Sequence, residues 1–276
     1  MGEVERAGET LGGAGNAGTD AGAPVRLFGL EVRDTTLGHA ATWLATRARH
    51  GVRTDVAFLN AHCVNVMHSD PAYRRALDEM DAMFADGIGM RIAAKAAGVA
   101  LSDNVNGTDL FPVLCRQAAA DRVGIFLFGA RDGIAKAAGE RMQSEIPGLV
   151  VSGSHHGYID GAEHEARIVE AINASGAGVL LVALGVPTQE QWMARNRGRL
   201  TVPVVIGVGG LFDYYSGRIA RAPLVLRKAG LEWAWRLALE PRRLARRYLA
   251  GNAEFLVRLA YERLRTPAGF KQSPAR

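Results

Sequence analysis

The 276-residue chain lacks most features of membrane-spanning, secreted or disulfide-bonded proteins. No stretch approaches the roughly 18 to 20 apolar residues that a bilayer-spanning helix needs. The first residues also lack the apolar core of a secretory signal. The two cysteines, Cys63 and Cys115, lie far apart in sequence and fit neither a disulfide framework nor a metal knuckle. These absences predict a protein of the reducing cytoplasm.

Cofactor and metal signatures are missing as well. No strand-like segment is followed by Gly-x-Gly-x-x-Gly, and the nearest match, GVGG at 207–210, runs into LFDYY instead. A nicotinamide-dependent oxidoreductase is therefore a weak alternative. There is no P-loop Gly-Lys-Ser/Thr and no Asp-x-Asp pair. His155 and His156 are adjacent, but neighbours on a loop seldom converge on one ion. We expect neither a cofactor nor a metal.

Positive charge is concentrated towards the C-terminus. Residues 218–265 contain twelve Arg or Lys and four Glu, an excess of eight, whereas the whole chain carries +5. Interleaved aromatic residues such as Trp233 and Tyr248 favour a helix at a bilayer interface. A solvated helix face is the alternative. Nucleic acid is not expected as a partner, because no recognisable binding module accompanies the charge.

Strand-like and helix-like segments alternate between residues 54 and 212. This alternation predicts an α/β fold: a Rossmann-like, mostly parallel sheet with helices on both faces. Residues 26–32 predict a first strand or an edge hairpin. We predict a disordered segment over 1–24, a catalytic α/β domain over 25–217 and a basic amphipathic helical C-terminal appendage over 218–276. One apolar face of the appendage is predicted to contain Leu224, Leu231, Trp235 and Leu239.

Polar residues follow two of the predicted strands. Asn60 comes after the segment 56–59, and Asp86 comes after 83–85. Ligands of open α/β sheets bind at the carboxyl ends of the strands, which makes both residues, and His62 near Asn60, site candidates. Asn60 could instead be a turn residue that satisfies its own backbone. Asp86 could instead be the N-cap of the next helix, or a general base that deprotonates an acceptor hydroxyl.

Glycine turns after other predicted strands favour a phosphate site. Backbone N–H groups at Gly129, at Gly185 and at 207–210 suit phosphate oxygens. The arginines further along the chain can grip phosphate with two hydrogen bonds each. The chemistry therefore predicts a phosphate-bearing ligand held between a sheet edge and the basic appendage.

The motifs, taken in order, resemble those of the TagA/WecG/CpsF glycosyltransferases, which build teichoic acids, enterobacterial common antigen and exopolysaccharides. The resemblance covers about residues 25–257. Its segments are LNA at 59–61, ADGIG at 85–89, NGTDL at 106–110, HGY at 156–158, GVPTQE at 185–190, GVGG at 207–210 with Phe212 and Asp213, RAP at 221–223, GLEW at 230–233, and Arg236 with EPRR at 240–243.

The resemblance implies a non-processive, inverting, metal-independent transferase that moves a sugar from a UDP-sugar to a polyprenyl-diphosphate-linked saccharide. It would act peripherally at the inner face of the plasma membrane. Asp86 would be the catalytic base, and Gln189 would act beside it. The implied donor-binding residues are Asn60, Gly129, Gly185, Glu190, Gly207, Gly209, Gly210 and Asp213. The implied residues for the acceptor diphosphate are Asn104, Arg221, Arg236, Arg243 and Arg246.

Two positions depart from the family pattern. Phe58 stands where members often carry Thr, and Asn104 stands where many carry Arg. The donor sugar is therefore left open between an N-acetylmannosamine type and a hexose such as glucose. A non-catalytic nucleotide-sugar or lipid-diphosphate binding module is the alternative function. A homo-oligomer also stays open, because the apolar face of the appendage could meet lipid or a second subunit.

Overall fold

The computed structural model describes residues 20–265, so most of the segment predicted to be disordered lies outside the described residues. One eight-stranded sheet organises the chain, in the order β1-β2-β4-β3-β8-β7-β5-β6. The strands are β1 (Ala23–Leu27), β2 (Leu30–Asp34), β3 (Thr54–Leu59), β4 (Ala82–Ala85), β5 (Ile125–Gly129), β6 (Val151–His155), β7 (Val179–Ala183) and β8 (Val204–Gly207).

The pairing of these strands confirms the predicted sheet. The β1 and β2 strands form an antiparallel hairpin at one edge, as the sequence at 26–32 indicates. The other ladders between described strands are parallel. The central strands are buried along their whole length, which accounts for their continuous apolar sequences. The β6 strand spans Val151–His155 and pairs with β5 at the other edge of the sheet.

Helices cover both faces of the sheet, which confirms the predicted α/β class. Alternate residues of β5 point to opposite faces, so Ile125 and Leu127 join one apolar layer while Phe126 and Phe128 join another. The helices up to residue 215 are α1 (Leu37–Arg49), α2 (Ala61–Ser69), α3 (Pro71–Asp78), α4 (Ile88–Ala96), α5 (Gly107–Asp121), α6 (Ile134–Glu145), α7 (Gly161–Ala174), α8 (Thr188–Asn196) and α9 (Leu211–Tyr215).

The appendage folds back onto the sheet domain as a series of short helices. These are α10 (Leu224–Lys228), α11 (Glu232–Leu239), α12 (Pro241–Ala245), a π-helical turn (Arg246–Ala250) and α13 (Gly251–Arg265). Phe255 is buried against Phe28, with ring centroids 5.6 Å apart. The Asn65 side-chain amide donates a 2.7 Å hydrogen bond to the Gly251 carbonyl. The appendage is therefore anchored to the core through α13.

The predicted apolar face of α10 and α11 does not pack on the sheet. Leu224, Leu231 and Leu239 are all exposed, and neither helix has a buried residue. The two helices lie over the carboxyl edge of the sheet. A cleft separates them from that edge, so they have no apolar sheet face to pack against. Within residues 20–265, no helix has the length and apolarity needed to cross a bilayer.

An ion network that is partly exposed lies at the opposite, amino-terminal edge of the sheet. The Arg197 guanidinium donates to Asp55 at 2.6 Å and to Asp81 at 3.1 Å, and also to the Glu79 carbonyl at 2.9 Å. Burial raises the pKa of the Asp55 carboxyl, and Arg197 opposes that shift. The network ties the start of β3, the start of β4 and the end of α8 together on the side of the sheet away from the cleft.

Candidate active site

A cleft of about 1160 Å³ opens over the carboxyl ends of the central strands. Its floor consists of residues that directly follow β3, β4, β7 and β8, among them Asn60, Asp86 and Gly185. Its roof consists of appendage residues, including Arg236 and Arg243. Two regions far apart in sequence therefore share one site, as open α/β sheets favour at this edge.

Asn60 and Asp86 lie side by side in the floor. The Asn60 side-chain oxygen accepts hydrogen bonds from the N–H groups of His62 and Cys63, both at 3.1 Å. Its amide nitrogen donates to Asp86 Oδ2 at 3.2 Å. Asn60 therefore caps α2 and also orients the carboxylate of Asp86.

Asp86 is not a helix cap, so that alternative was wrong. Gly87 occupies the N-cap position of α4 with φ of 85°, a conformation that favours glycine, and no side chain caps this helix. The Gly87 N–H instead donates to the side-chain oxygen of Asn104 at 2.7 Å. The Asp86 carboxylate is consequently left facing the cleft.

The charges around Asp86 come from both sides of the cleft. Burial raises the pKa of the Asp86 carboxyl, the Asn60 hydrogen bond lowers it, and the negative charge of Glu232 raises it again. Arg247 and Arg236 act in the lowering direction. A carboxylate with a raised pKa is a stronger base, which suits proton abstraction. Three of these four charged or polar neighbours belong to the appendage, so the roof sets part of the electrostatics at the floor.

Gln189 ties two strand-end turns together. Its side-chain oxygen accepts hydrogen bonds from the N–H groups of Gly185 at 3.2 Å and Gly209 at 2.9 Å. A Cβ at Gly207 would lie 2.9 Å from the Gln189 amide nitrogen, so any side chain there would displace the Gln189 amide. In this structure the N–H groups of Gly185 and Gly209, which were predicted to bind phosphate, are both bonded to Gln189.

Glu190 lies beneath the floor and does not line the cleft, contrary to its predicted role in donor binding. The Gln189 amide donates a 2.8 Å hydrogen bond to Glu190 Oε1, which fixes the orientation of the amide. Within the described residues, Glu190 Oε2 is buried without a hydrogen-bond partner. Burial raises the pKa of this carboxyl to about 7. Glu190 is therefore a positioning residue behind the floor.

We expect the free energy of unfolding to fall as the pH rises from about 4.5 to about 7, because the folded chain keeps the Glu190 proton that the unfolded chain releases. The loss is about 3 kcal/mol for a shift of this size. A Glu190→Gln variant stays neutral and should lack this contribution. Urea unfolding of both proteins at several pH values tests it, and the difference between the two curves isolates Glu190 from other groups. Parallel curves would contradict the assignment.

The remaining donor-binding candidates divide into two groups. Gly207, Gly209, Gly210 and Asp213 line the cleft, and Asp213 forms a 2.7 Å ion pair with Arg218. Gly129 does not line it. A Cβ at Gly129 would lie 2.4 Å from the Ala183 carbonyl oxygen, so this glycine shapes the turn and its neighbour Arg131 reaches the cleft instead.

Two of the predicted arginines face the cleft. The guanidinium of Arg236 lies 5.1 Å from the Tyr214 ring centroid, and a Cβ at Gly210 would lie 2.9 Å from its Nη2. The appendage therefore reaches the glycine turn that follows β8. Arg243 also lines the cleft and is hydrogen-bonded to Glu240.

The other two arginines do not line the cleft, which corrects the prediction for both. Arg221 forms salt bridges with Asp109 at 2.5 Å and with Glu232 at 3.4 Å, so its positive charge is neutralised within the protein. Arg246 is exposed, and its neighbour Arg247 lines the cleft in its place. Arg246 and Arg247 follow Arg243 by three and four residues, and both spacings keep a residue on the same helix face. Helical spacing alone therefore could not show which of the two lines the cleft.

Arg247 is a site residue that sequence reasoning missed, whereas the strand-end argument places His62 beside Asn60. Both line the cleft, and burial together with the nearby charge of Arg247 lowers the pKa of His62 to about 4. His62 is thus a neutral imidazole near Asp86. Its position two residues after Asn60, at the end of a core strand, was the available signal.

The fold and this cleft together define a doubly wound α/β protein whose site combines a carboxylate, glycine turns and arginines. The family model described as the glycosyl transferase WecG/TagA/CpsF family matches residues 25–269, and the chain belongs to that family. The chain is therefore a glycosyltransferase.

Curated relatives share most of this region. A protein of Bacillus spizizenii, named an N-acetylglucosaminyldiphosphoundecaprenol N-acetyl-beta-D-mannosaminyltransferase, is 32% identical over 177 residues, which cover 64% of this chain and 68% of the relative. A protein of Staphylococcus aureus with the same name is 27% identical over 228 residues, which cover 81% of this chain and 88% of the relative.

Proposed function

We propose that this glycosyltransferase moves a sugar from a UDP-sugar to a polyprenyl-diphosphate-linked saccharide with inversion, in cell-surface or exopolysaccharide synthesis. The observation that carries the proposal is the position of Asp86, a cleft carboxylate between the strand-end turns and the arginines of the roof. The names of the relatives support a lipid-linked acceptor. The donor sugar is either of the N-acetylmannosamine type or a hexose such as glucose.

In the proposed step, Asp86 removes the proton from an acceptor hydroxyl while that oxygen attacks the anomeric carbon. The new glycosidic bond forms as the bond from the anomeric carbon to the diphosphate oxygen breaks, and UDP leaves with the electron pair. Inversion requires the base and the leaving group to be on opposite faces of the sugar. Asn60 holds the carboxylate in one orientation for this transfer.

The leaving diphosphate needs positive charge, since the N–H groups of Gly185 and Gly209 are engaged by Gln189. Arg236 lies against the Gly210 turn, and Arg131 lines the cleft beside the turn after β5. We assign these two guanidinium groups to the leaving group, where fixed cations in a preorganised site lower the barrier. This assignment moves Arg236 from its predicted place at the acceptor diphosphate to the donor, because it lies against the Gly210 turn. The floor from 25–217 thus binds the donor, and the appendage completes the site.

We assign the exposed face of the appendage to the inner surface of the plasma membrane. Val225, Leu249, Val257 and Leu264 are exposed there, and none of the four lines the cleft. Each arginine or lysine close to an anionic leaflet adds about 1 kcal/mol of attraction. Apolar side chains among several such charges are sufficient for reversible docking.

The proposal predicts transfer from one member of a donor panel. Purified protein is given UDP-N-acetylmannosamine, UDP-N-acetylglucosamine or UDP-glucose with a short-chain polyprenyl-diphosphate saccharide, and the product is analysed by mass spectrometry and NMR. We expect one donor to react, with the configuration at the anomeric carbon inverted. UDP binding by calorimetry without turnover from any donor would instead support the non-catalytic binding module.

A further inference from the structure

Part of the cleft is lined by four exposed apolar side chains, and this part is called the apolar end. Ile88 and Ile92 of α4 line it with 38% and 43% of their surfaces exposed. The two residues are four apart, so they lie on one helix face, about 6 Å apart along the axis. From the appendage, Leu224 and Leu256 line the same cleft with 54% and 53% exposed. Apolar side chains gathered at an open site indicate a binding surface.

This apolar end is continuous with the proposed reaction centre. Ile88 is two residues after Asp86 in the chain. A Cβ placed on Gly230 would lie 3.1 Å from the Ile88 Cβ, and one placed on Gly89 would lie 3.4 Å from Phe255 Cε1. The appendage therefore packs against the first turn of α4 from the turn between α10 and α11 and from α13. The apolar end is formed jointly by the core and the appendage, as the rest of the cleft is.

Cationic side chains accompany the apolar ones. Arg91, Lys228 and Arg247 all line the cleft. Within residues 20–265, no carboxylate lies within salt-bridge distance of Arg91 or Lys228, whereas Arg221 and Arg218 are paired. The cleft thus offers a base, unpaired cations and an apolar surface. A lipid-linked sugar presents the matching groups: a hydroxyl, a diphosphate and a hydrocarbon chain.

We propose that Ile88 and Ile92, with Leu224 and Leu256, form a subsite for the first isoprene units of the acceptor's hydrocarbon chain. This inference rests on the proposed function and names the part of the acceptor that α4 binds. The subsite is distinct from the exposed membrane face of the appendage, because residues such as Val257 are exposed but do not line the cleft. The chain would leave the cleft here and continue into the bilayer.

An Ile92→Asn variant tests the subsite with two acceptors that carry the same saccharide diphosphate, one on a polyprenyl chain and one on a methyl group. We expect KM for the polyprenyl acceptor to rise roughly tenfold, the effect of one lost apolar contact of this size. The KM values for the methyl acceptor and for the UDP-sugar should not change. Because Ile92 is exposed, the melting temperature should stay that of the wild type.

Two matched variants separate the chain subsite from general effects. Val150→Asn removes an equally exposed apolar side chain just before β6, away from the cleft, and should leave both KM values unchanged. Val257→Asn should weaken sedimentation with anionic phosphatidylglycerol vesicles, whereas Ile92→Asn should not.

Three results would overturn the inference. An equal rise in KM for both acceptors would mean that Ile92 acts on the saccharide end or on the packing of the appendage. Loss of vesicle binding in Ile92→Asn would place α4 on the membrane face. If the wild type transfers sugar to neither acceptor, the proposed function itself fails and the subsite fails with it.

Discussion

Replacement of Asp86 by Asn should lower kcat for sugar transfer by roughly 10²- to 10⁴-fold, the usual contribution of a positioned general base. Asn has nearly the same shape, and its side-chain oxygen can accept the hydrogen bond that Asn60 now donates to Asp86. Binding of UDP and the melting temperature should therefore stay close to the wild type. Steady-state kinetics with the reactive donor, together with calorimetric titration of UDP, measure both quantities.

The pH dependence gives an independent check of the same role. Asp86 must be ionised to accept a proton, so activity should decline as the pH falls through its pKa, which burial raises. That acidic limb should be absent from the residual activity of Asp86→Asn. Asp103→Asn is a matched control, because Asp103 also lines the cleft but accepts a backbone hydrogen bond from Leu37. Unchanged turnover in Asp86→Asn would remove the assignment of the base.

Loss of a cleft arginine should have the next largest effect. We expect Arg247→Ala and Arg236→Ala each to lower kcat/KM by roughly 10²-fold, because a phosphate would lose a half-buried charged partner. Both side chains line the cleft, and in each the Nε is buried without a hydrogen-bond partner in the described part of the chain. Initial rates at low concentrations of both substrates measure this effect.

The control for this prediction is the adjacent arginine. Arg246→Ala removes the same charge one residue away, from an exposed side chain that does not line the cleft. It should change kcat/KM less than threefold, which is roughly the effect expected from the interaction energy of a solvent-exposed charge pair. Equal losses at 246 and 247 would show that net charge on the appendage matters, with no specific contact in the cleft.

Much of the fold could be predicted because local signals and tertiary packing agree. Strands and helices alternate over 54–212 as expected, and Asp70 with Pro71 starts α3 in the way that capping chemistry favours. The order of the strands could not be predicted, because nothing local records that β8 inserts between β3 and β7. In the appendage, the spacing of Leu224, Leu231 and Leu239 predicts one apolar face, and all three residues are exposed. The spacing does not record whether lipid or a second subunit covers that face.

The site was predictable where a residue follows a strand directly. Asn60 and Asp86 come straight after β3 and β4, so the parallel sheet brings them together. The sequence does not show in which direction a side chain points. Gln189 and Glu190 are adjacent, yet one ties the turns together while the other is buried behind the floor. Spacing likewise could not decide that Arg247, and not Arg246, reaches the cleft.

The ion network of Arg197 with Asp55 and Asp81 has a practical consequence for anyone who wishes to engineer this enzyme. It lies at the amino-terminal edge of the sheet, and the cleft lies at the carboxyl edge, so a strand of four to six residues, about 13 to 20 Å, separates them. Substitutions that far apart, with no shared partners, combine additively. Heat tolerance can therefore be selected in a library around Arg197 while donor preference is altered independently in a library around the cleft.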